Sequence, residues 1–230
     1  MSKSRVEAFS DGVFAIAITL LVLTIAEPTN YKNLGSQLGS RWPSLAAFVV
    51  SFAVIGVMWL NHHSLFTHFE RIDRGLFYLN LLLLMTITFL PYPTGVLGEA
   101  LAKGHGTQIA AIVYGATMAA NACAWAALWL YGSHRRRLLH PSFPEEQRAM
   151  ATLLFTIGVL IYTLAVGVAF LNAYAFLGLQ GAVALYYALD PVSRRAERGN
   201  RRDDRTNSAQ TGAGGLAPDT PSPGSPSAGE

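Results

Sequence analysis

Six apolar stretches, each close to the length of a membrane-crossing helix, dominate the first 190 residues of the chain. Such a helix needs about 20 apolar residues to cross a hydrocarbon core of about 30 Å. Pro91 and Pro93 fall near the end of the third stretch, and a short turn near Asn172 separates the last two. The pattern predicts an all-α integral membrane domain over residues 1–192. Its six transmembrane helices are expected over residues 8–25, 45–60, 76–96, 109–130, 150–171 and 174–189.

The composition changes after the sixth stretch. Residues 193–230 are rich in Arg, Gly, Pro and Ser, and such a segment cannot bury enough apolar surface to fold. We expect a disordered cytoplasmic tail whose arginines lie against anionic lipid. Nucleic-acid binding by these arginines is an alternative that no other feature supports, so we expect no nucleic-acid partner.

Charge explains how the helices should be oriented. Charged residues make up 13% of the chain and hydrophobic residues 51%, whereas a soluble domain is about 25% charged. If the N-terminus is inside, only Lys32, Arg41 and Lys103 of the 17 basic residues fall in outside loops. Because basic residues accumulate on the cytoplasmic side, we expect both termini there and a multi-pass protein of the plasma membrane.

Asp11 is the one acidic residue clearly inside a predicted helix. Ionisable groups in the membrane require a partner or a function. Arg5 lies six residues earlier and points away from Asp11, so the partner must come from another helix or subunit. Trp59 and His63 share a face of the second helix, and His63 is the expected partner. A packing pair and direct participation in ion or proton movement both remain open for Asp11.

The histidines of the second helix do not predict a metal site. His62 and His63 are adjacent and diverge on a helix, and no cysteine or carboxylate completes a ligand set with His68. The chain also contains no GxSxG, HExxH or P-loop motif. We therefore expect no metal, no cofactor and no enzymatic activity, although a membrane enzyme that uses these histidines is an alternative.

A proton-coupled or small-molecule transporter is a second alternative to consider. Transporters of this kind commonly contain internal repeats and broken helices, and proton relays carry acidic residues deep in their spans. The sequence shows no repeat and no clearly broken helix, and Pro91 and Pro93 lie near the end of the third predicted helix, so they are weak evidence for a transporter.

Two motifs carry a resemblance to a known family. The first helix contains RxxxFSD, and the second contains WxxHH. Together with the six-span layout, these motifs resemble the transmembrane protein 175 potassium channel family. The resemblance covers the membrane part of the chain and implies a network formed by the motif residues Arg5, Phe9, Ser10, Asp11, Trp59, His62 and His63.

The resemblance also implies a function and an assembly. Prokaryotic members of that family carry one six-helix unit and form homotetramers with a central pore lined by the first helix. The carbonyl filter of ordinary potassium channels is absent from the family, and no TVGYG-like segment occurs in this chain. The implied function is passive and leaky potassium-selective conduction across the bilayer, with K⁺ as the permeant ion.

The first helix carries a candidate pore face. Ile16, Leu20 and Leu23 follow i, i+4, i+7 spacing, with Thr19 on the flank and Glu27 at the outer end of the same face. A stripe of this kind alone is more typical of helix packing. The resemblance implies that Ile16 forms the main constriction, Leu20 and Leu23 further apolar constrictions, and Thr19 a position linked to selectivity.

The expected mechanism follows from the chemistry of that face. Narrow apolar rings exclude water, so the pore can close by dewetting and reopen on widening. Thr19 hydroxyls are expected to replace part of the hydration shell of the ion, and Glu27 carboxylates to concentrate cations at the outer mouth. Ile18 is turned about 200° from Ile16 and is expected to face lipid.

Overall fold

A computed structural model describes residues 2–28, 31–134, 138–141 and 143–189 of the chain. The described residues form eight α-helices. Met1–Ala188 form one compact unit, and of the second unit, Leu189–Glu230, only Leu189 is described. The predicted tail, residues 193–230, therefore lies outside the described residues. The helices are α1 Lys3–Leu20, α2 Leu34–Ser40, α3 Trp42–Thr67, α4 Arg74–Phe89, α5 Pro91–Lys103, α6 Thr107–His134, α7 Glu145–Leu171 and α8 Ala173–Leu189.

The all-α, multi-pass architecture predicted from the sequence is confirmed. Five segments of the described chain are long and apolar enough to cross a membrane. They are α1 with the 3₁₀ turn that extends it to Thr24, then α3, α4 together with α5, α6 and α7. The sixth predicted span corresponds to the shorter apolar helix α8. The sharp turn expected before it is present, since the Asn172 side chain accepts hydrogen bonds from the backbone N–H groups of Tyr174 and Ala175.

The third span is longer than predicted and consists of two helices. It was expected to end at about Val96, whereas α5 continues to Lys103 within one 30-residue segment. A helix does end just before the two prolines, at Phe89, because a proline interrupts a helix but is well suited to the first turn of the next one. At the start of α5, Leu90 O accepts from both the backbone N–H of Thr94 at 3.1 Å and its hydroxyl at 2.8 Å.

Hydroxyl groups from three helices meet beside this break. Thr94 Oγ1 of α5 lies 2.8 Å from Ser51 Oγ of α3, and Ser51 Oγ lies 2.9 Å from the hydroxyl oxygen of Tyr114 on α6. All three residues are buried. Because buried hydroxyls without partners are costly, this arrangement holds α3, α5 and α6 in one register.

Glycines allow α5 to approach its neighbours closely. A Cβ atom built on Gly98 would lie 2.9 Å from the Cα atom of Ser44, and the Ser44 hydroxyl donates to Gly98 O at 2.9 Å. A Cβ atom on Gly95 would lie 3.0 Å from the Cβ atom of Thr24. Helix α5 therefore contacts both the start of α3 and the 3₁₀ turn that ends the first span.

At the opposite end of the bundle, the connection after α3 pairs with the segment before α7. Phe69 and Leu139 form an antiparallel bridge, and the N–H of His140 donates to His68 O at 2.9 Å. The ring of His68 also packs against Phe143, with 4.9 Å between the ring centroids. These contacts fix the α3–α4 connection against the chain that joins α6 to α7.

Candidate functional site

The first helix has one packed face and one open face. The packed face contacts α3 and α4, and the exposed residues Ile16, Leu20 and Leu23 lie on the other side. Ile16 is 59% exposed, Leu20 40% and Leu23 76%, so a large part of each apolar side chain is uncovered in the single chain. Positions spaced by three or four residues share a helix face, which is why the packed set is so regular. It consists of Val6, Ser10, Phe14, Ala17 and Leu21.

Ile18 was expected to face lipid, and the structure corrects this. Its side chain is half-buried and packs against the core. The physical reason is that a rotation of about 200° from Ile16 turns Ile18 toward the packed face, one turn after Phe14. On this helix, facing away from the candidate pore therefore means facing the protein interior.

Thr19 is exposed on the same side as Ile16. Its hydroxyl donates to the carbonyl oxygen of Ile16 at 2.9 Å, a bond within the helix itself. A hydroxyl has one proton and two acceptor lone pairs, so this bond leaves the lone pairs of Thr19 available. The oxygen can therefore face a cation, as the predicted selectivity role requires.

A buried polar network connects the packed face to two other helices. Ser10 Oγ donates to Val6 O at 2.9 Å, and Asn80 Nδ2 of α4 donates to Ser10 Oγ at 3.0 Å. Asn80 Oδ1 in turn lies 2.8 Å from His62 Nε2 of α3. An amide oxygen only accepts, so His62 carries its proton on Nε2. The three side chains are at most 1% exposed, and they tie α1, α3 and α4 together.

The ring of His62 is enclosed by aromatic side chains. Phe66 stacks on it with 4.2 Å between centroids, and the edges of Phe14 and Trp125 approach from the sides. The hydrogen bond and the packing of His62 indicate that this side chain holds α1 in place.

Asp11 has a different partner from the one predicted. Trp59 Nε1 donates to Asp11 Oδ1 at 2.8 Å, and the ring of His63 stacks against Trp59 with 6.2 Å between centroids. The expectation of an Asp11–His63 pair was wrong because the indole of Trp59, one turn before His63, is the group within hydrogen-bonding distance of the carboxylate. His63 supports the indole rather than contacting Asp11.

The remaining motif residues lie outside this network. Arg5 and Phe9 are exposed, and they line a recess together with Val6 and Phe77. Among the described residues, Arg5 has no ion-pair or hydrogen-bond partner. The structure thus brings together Ser10 with His62, and Asp11 with Trp59 and His63, but not Arg5 or Phe9.

Two residues that the sequence reasoning missed complete the site. Asn80 was detectable as the lone amide in a leucine-rich predicted span, a polar residue that requires a partner. Arg41, which was noted only as an outside charge, donates to the carbonyl oxygens of Ala26 and Glu27 after the first span. Glu27 itself is exposed, as its predicted place at the outer mouth requires.

The described residues contain no cluster of three or more His, Cys, Asp or Glu side chains that could hold a metal ion. What they contain is a membrane-length helix, fixed on one side by a polar network and open on the other through an apolar stripe. These features define an all-α, multi-pass membrane protein whose first helix presents an unpaired apolar face.

Comparisons with known proteins agree with that class. Residues 5–91 match the family model described as endosomal/lysosomal potassium channel TMEM175. A potassium channel of Streptomyces collinus is 46% identical over 192 residues, which cover 83% of this chain and 93% of that protein. The chain therefore belongs to the TMEM175 family.

A solved structure and a longer relative extend this similarity. The crystal structure of a lysosomal potassium-selective channel TMEM175 homolog from Chamaesiphon minutus superimposes with a TM-score of 0.72 at 40% identity. The match covers 81% of this chain and 96% of that one. The endosomal/lysosomal proton channel TMEM175 of Homo sapiens is 43% identical over 101 residues, which cover 40% of this chain and 20% of that longer protein.

Proposed function

We propose that this protein is a subunit of a potassium channel, with four copies of α1 surrounding a central pore. The observation that carries the proposal is the open face of α1, where Ile16, Leu20 and Leu23 are exposed while the opposite face is fixed by hydrogen bonds. An apolar stripe of this kind needs either lipid or further copies of itself. The Streptomyces relative, which matches over nearly its whole length, is named a potassium channel.

The mechanism follows from the residues along that face. Rings of Ile16 and Leu23 are too apolar to retain water when they are narrow, so conduction stops by dewetting and resumes on slight widening. Thr19 oxygens offer acceptor lone pairs to a partly dehydrated K⁺ ion. Hydroxyls in a flexible ring discriminate less sharply than a carbonyl cage, so we expect preference for K⁺ with some leak of other cations.

The packed face supplies the stiffness that such a gate needs. Because Asn80 is hydrogen-bonded to both Ser10 and His62, α1 is coupled to α3 and α4 and cannot rotate alone about its axis. Widening of the pore then involves movement of α1 together with its neighbours. The function is passive conduction, and no step requires a catalytic group or a cofactor.

We place the protein in the plasma membrane with both termini in the cytoplasm. The support is the accumulation of Lys and Arg in the segments that this orientation puts inside. Single-cysteine labelling tests it in a Cys123→Ser background. Cysteines at Lys32 and Lys103 should react with an impermeant reagent from outside, whereas a cysteine at Arg71 should not.

A proton-coupled transporter is the second candidate, because the span formed by α4 and α5 is broken and one relative is named a proton channel. Broken helices in transporters bind ions at the break. Here the break is occupied by the hydroxyls of Thr94, Ser51 and Tyr114, which bond to each other. Among the described residues, no carboxylate or imidazole bonds to these hydroxyls, so the channel remains the better-supported proposal.

Reconstituted liposomes distinguish the two functions. Vesicles that contain the full-length protein and a K⁺ gradient should release K⁺ without any proton gradient, and the release should continue when a protonophore clamps the pH. Replacement of K⁺ by Na⁺ should lower the flux. If K⁺ movement stops whenever the proton gradient is removed, the protein is a coupled transporter and the channel proposal is wrong.

A further inference from the structure

Arg41 occupies the junction between α2 and α3, and its backbone is held on both sides. Its N–H donates to Leu38 O at 3.2 Å, and its carbonyl accepts from the N–H of Leu45 at 3.2 Å. The residue therefore ends one helix and begins the next, with little freedom to move. The side chain of Arg41 therefore starts from a fixed backbone position.

The guanidinium reaches across to the end of the first span. Nη1 donates to Ala26 O at 2.7 Å, and Nη2 donates to Glu27 O at 3.2 Å. Two bonds from one planar group give orientation as well as attachment. The positive charge is thus held at the backbone of Glu27, the residue that carries the carboxylate. Within the described residues, Glu27 and Arg41 form no direct ion pair, so the Glu27 side chain remains free to face the pore axis.

We infer that Arg41 sets the charge of the outer mouth of the proposed pore, and this inference rests on the channel function proposed above. Around a fourfold axis, each Glu27 carboxylate would have one Arg41 guanidinium beside it. The field that draws cations to the mouth is then weaker than four carboxylates alone would produce. Through its charge, Arg41 slows the entry of cations from the outer side.

The inference predicts a dependence on salt. Charges at a solvent-exposed mouth act over about 30 Å at 0.01 M salt but over only about 3 Å at 1 M. Removal of the guanidinium charge should therefore raise the conductance for K⁺ entering from the outer side in dilute KCl. The increase should vanish in concentrated KCl, where the field of the mouth is screened.

Single-channel recording of the full-length protein in planar bilayers tests this. In about 10 mM KCl, Arg41→Gln should conduct inward K⁺ at least about twofold better than wild type, and in about 1 M KCl the two should be equal. Arg41→Lys keeps the charge but loses the two-pronged attachment, and it should resemble wild type in both solutions. Lys103→Gln removes another outer basic residue, one paired with Glu99, and serves as the matched control.

A second measurement removes any dependence on folding of the variant. Arg41→Cys in a Cys123→Ser background is modified only after the channel has been incorporated into the bilayer. A positively charged methanethiosulfonate reagent should lower the current in dilute KCl, and a negatively charged one should raise it. The two products differ only in charge, so a difference between them cannot come from a folding defect.

The recordings and the two reagents together test whether the charge of Arg41 controls cation entry. A rise in dilute KCl for Arg41→Gln alone, with opposite effects of the two reagents, supports the inference. Equal currents for the two modified forms overturn it, and so does an equal change in Lys103→Gln. If Arg41→Lys changes the current as much as Arg41→Gln does, attachment rather than charge is what matters, and the inference is again overturned. A wild-type protein that passes no K⁺ would instead contradict the proposed function itself.

Discussion

The indole of Trp59 donates a hydrogen bond to the Asp11 carboxylate across 2.8 Å, joining α3 to the open side of α1. Asp11 is exposed in the single chain, so this bond forms beside the surface that would contact other subunits. The pair therefore lies between the polar network that fixes α1 and the stripe assigned to the pore. Substitution of Trp59 or Asp11 therefore tests whether this pair stabilises the fold or takes part in ion conduction.

Replacement of Trp59 by phenylalanine removes the N–H donor but keeps an aromatic ring next to His63. We expect a loss of about 1–2 kcal/mol in stability, since the carboxylate loses a charge-assisted hydrogen bond in a partly exposed position. Thermal unfolding of the purified assembly measures the loss, and ion selectivity should not change. Trp42→Phe is the control, because Trp42 stacks on Tyr174 and its indole has no hydrogen bond among the described residues. Altered selectivity with unchanged stability would place Asp11 in the ion path instead.

Asn80→Leu should be among the most destabilising substitutions in the first half of the chain. It leaves buried Ser10 and His62 without the amide between them, and unsatisfied buried polar groups cost about 1–3 kcal/mol each. We expect a total loss of about 2–4 kcal/mol in detergent unfolding experiments. Asn61→Leu, at an exposed position of α3, is the matched change and should have little effect. Equal unfolding temperatures for the two variants would show that the network does not hold the helices.

Ile16→Asn tests the apolar gate. An amide in the proposed constriction should let water fill the ring and raise K⁺ flux at least about threefold, with weaker selectivity. Ile161→Asn on α7 is the control, because Ile161 is 50% exposed and Ile16 59%, so the chemistry and the exposure match. Flux is normalised to assembled protein in the liposomes. An equal or greater gain at Ile161 would mean that α1 does not line the pore.

Gly98→Ala should weaken the contact between α5 and α3. The new methyl group would lie 2.9 Å from the Cα atom of Ser44, where backbone rather than a flexible side chain must move. Overpacking of this kind costs about 1–3 kcal/mol. Gly56→Ala adds the same methyl group where no atom lies within 4 Å and should be neutral or stabilising. If Gly98→Ala has the same melting temperature as wild type, the close approach of α5 to α3 is not maintained in the membrane.

His68 predicts a dependence of stability on pH. Partial burial lowers the pKa of its imidazole below the ordinary value of 6.5, and the nearby Lys3 lowers it further. The unfolded chain then binds the proton more readily than the folded one, so the stability is present above pH 6.5 and is lost as the pH falls through the folded value. Melting at pH 8 and pH 5 should show a smaller acid-induced drop in His68→Gln than in wild type. His105→Gln, in an exposed loop, should retain the full drop.

Sequence reasoning predicted the spans and the open face of α1, because both depend on regular spacing. Runs of apolar residues identify membrane helices in a sequence. Ile16, Leu20 and Leu23 share a face in any α-helix. The three residues of the stripe therefore lie on one side of the helix axis. The structure shows that it is exposed in the single chain, and the assignment to a pore remains a prediction that the flux experiment tests.

Partners across helices were harder to predict. His63 was predicted as the partner of Asp11 because of its chemical type. In the structure it is the indole of Trp59 that lies close enough to donate a hydrogen bond to Asp11. The environment of Ile18 was predicted wrongly because its position on the helix shows only that it points away from Ile16. The spacing does not show whether lipid or protein covers that side of the helix. The break at Leu90 was missed because the sequence does not show that Thr94, Ser51 and Tyr114 come together to stabilise it.

The hydroxyl of Thr94 has one proton and two acceptors within reach. It lies 2.8 Å from Leu90 O and 2.8 Å from Ser51 Oγ, and Thr94 is the donor in both contacts. Leu90 O also accepts from the backbone N–H of Thr94 at 3.1 Å, so this carbonyl keeps a donor when the hydroxyl proton points to Ser51. The Thr94 proton can therefore alternate between the backbone of the third span and a side chain of α3 without leaving a buried carbonyl unsatisfied.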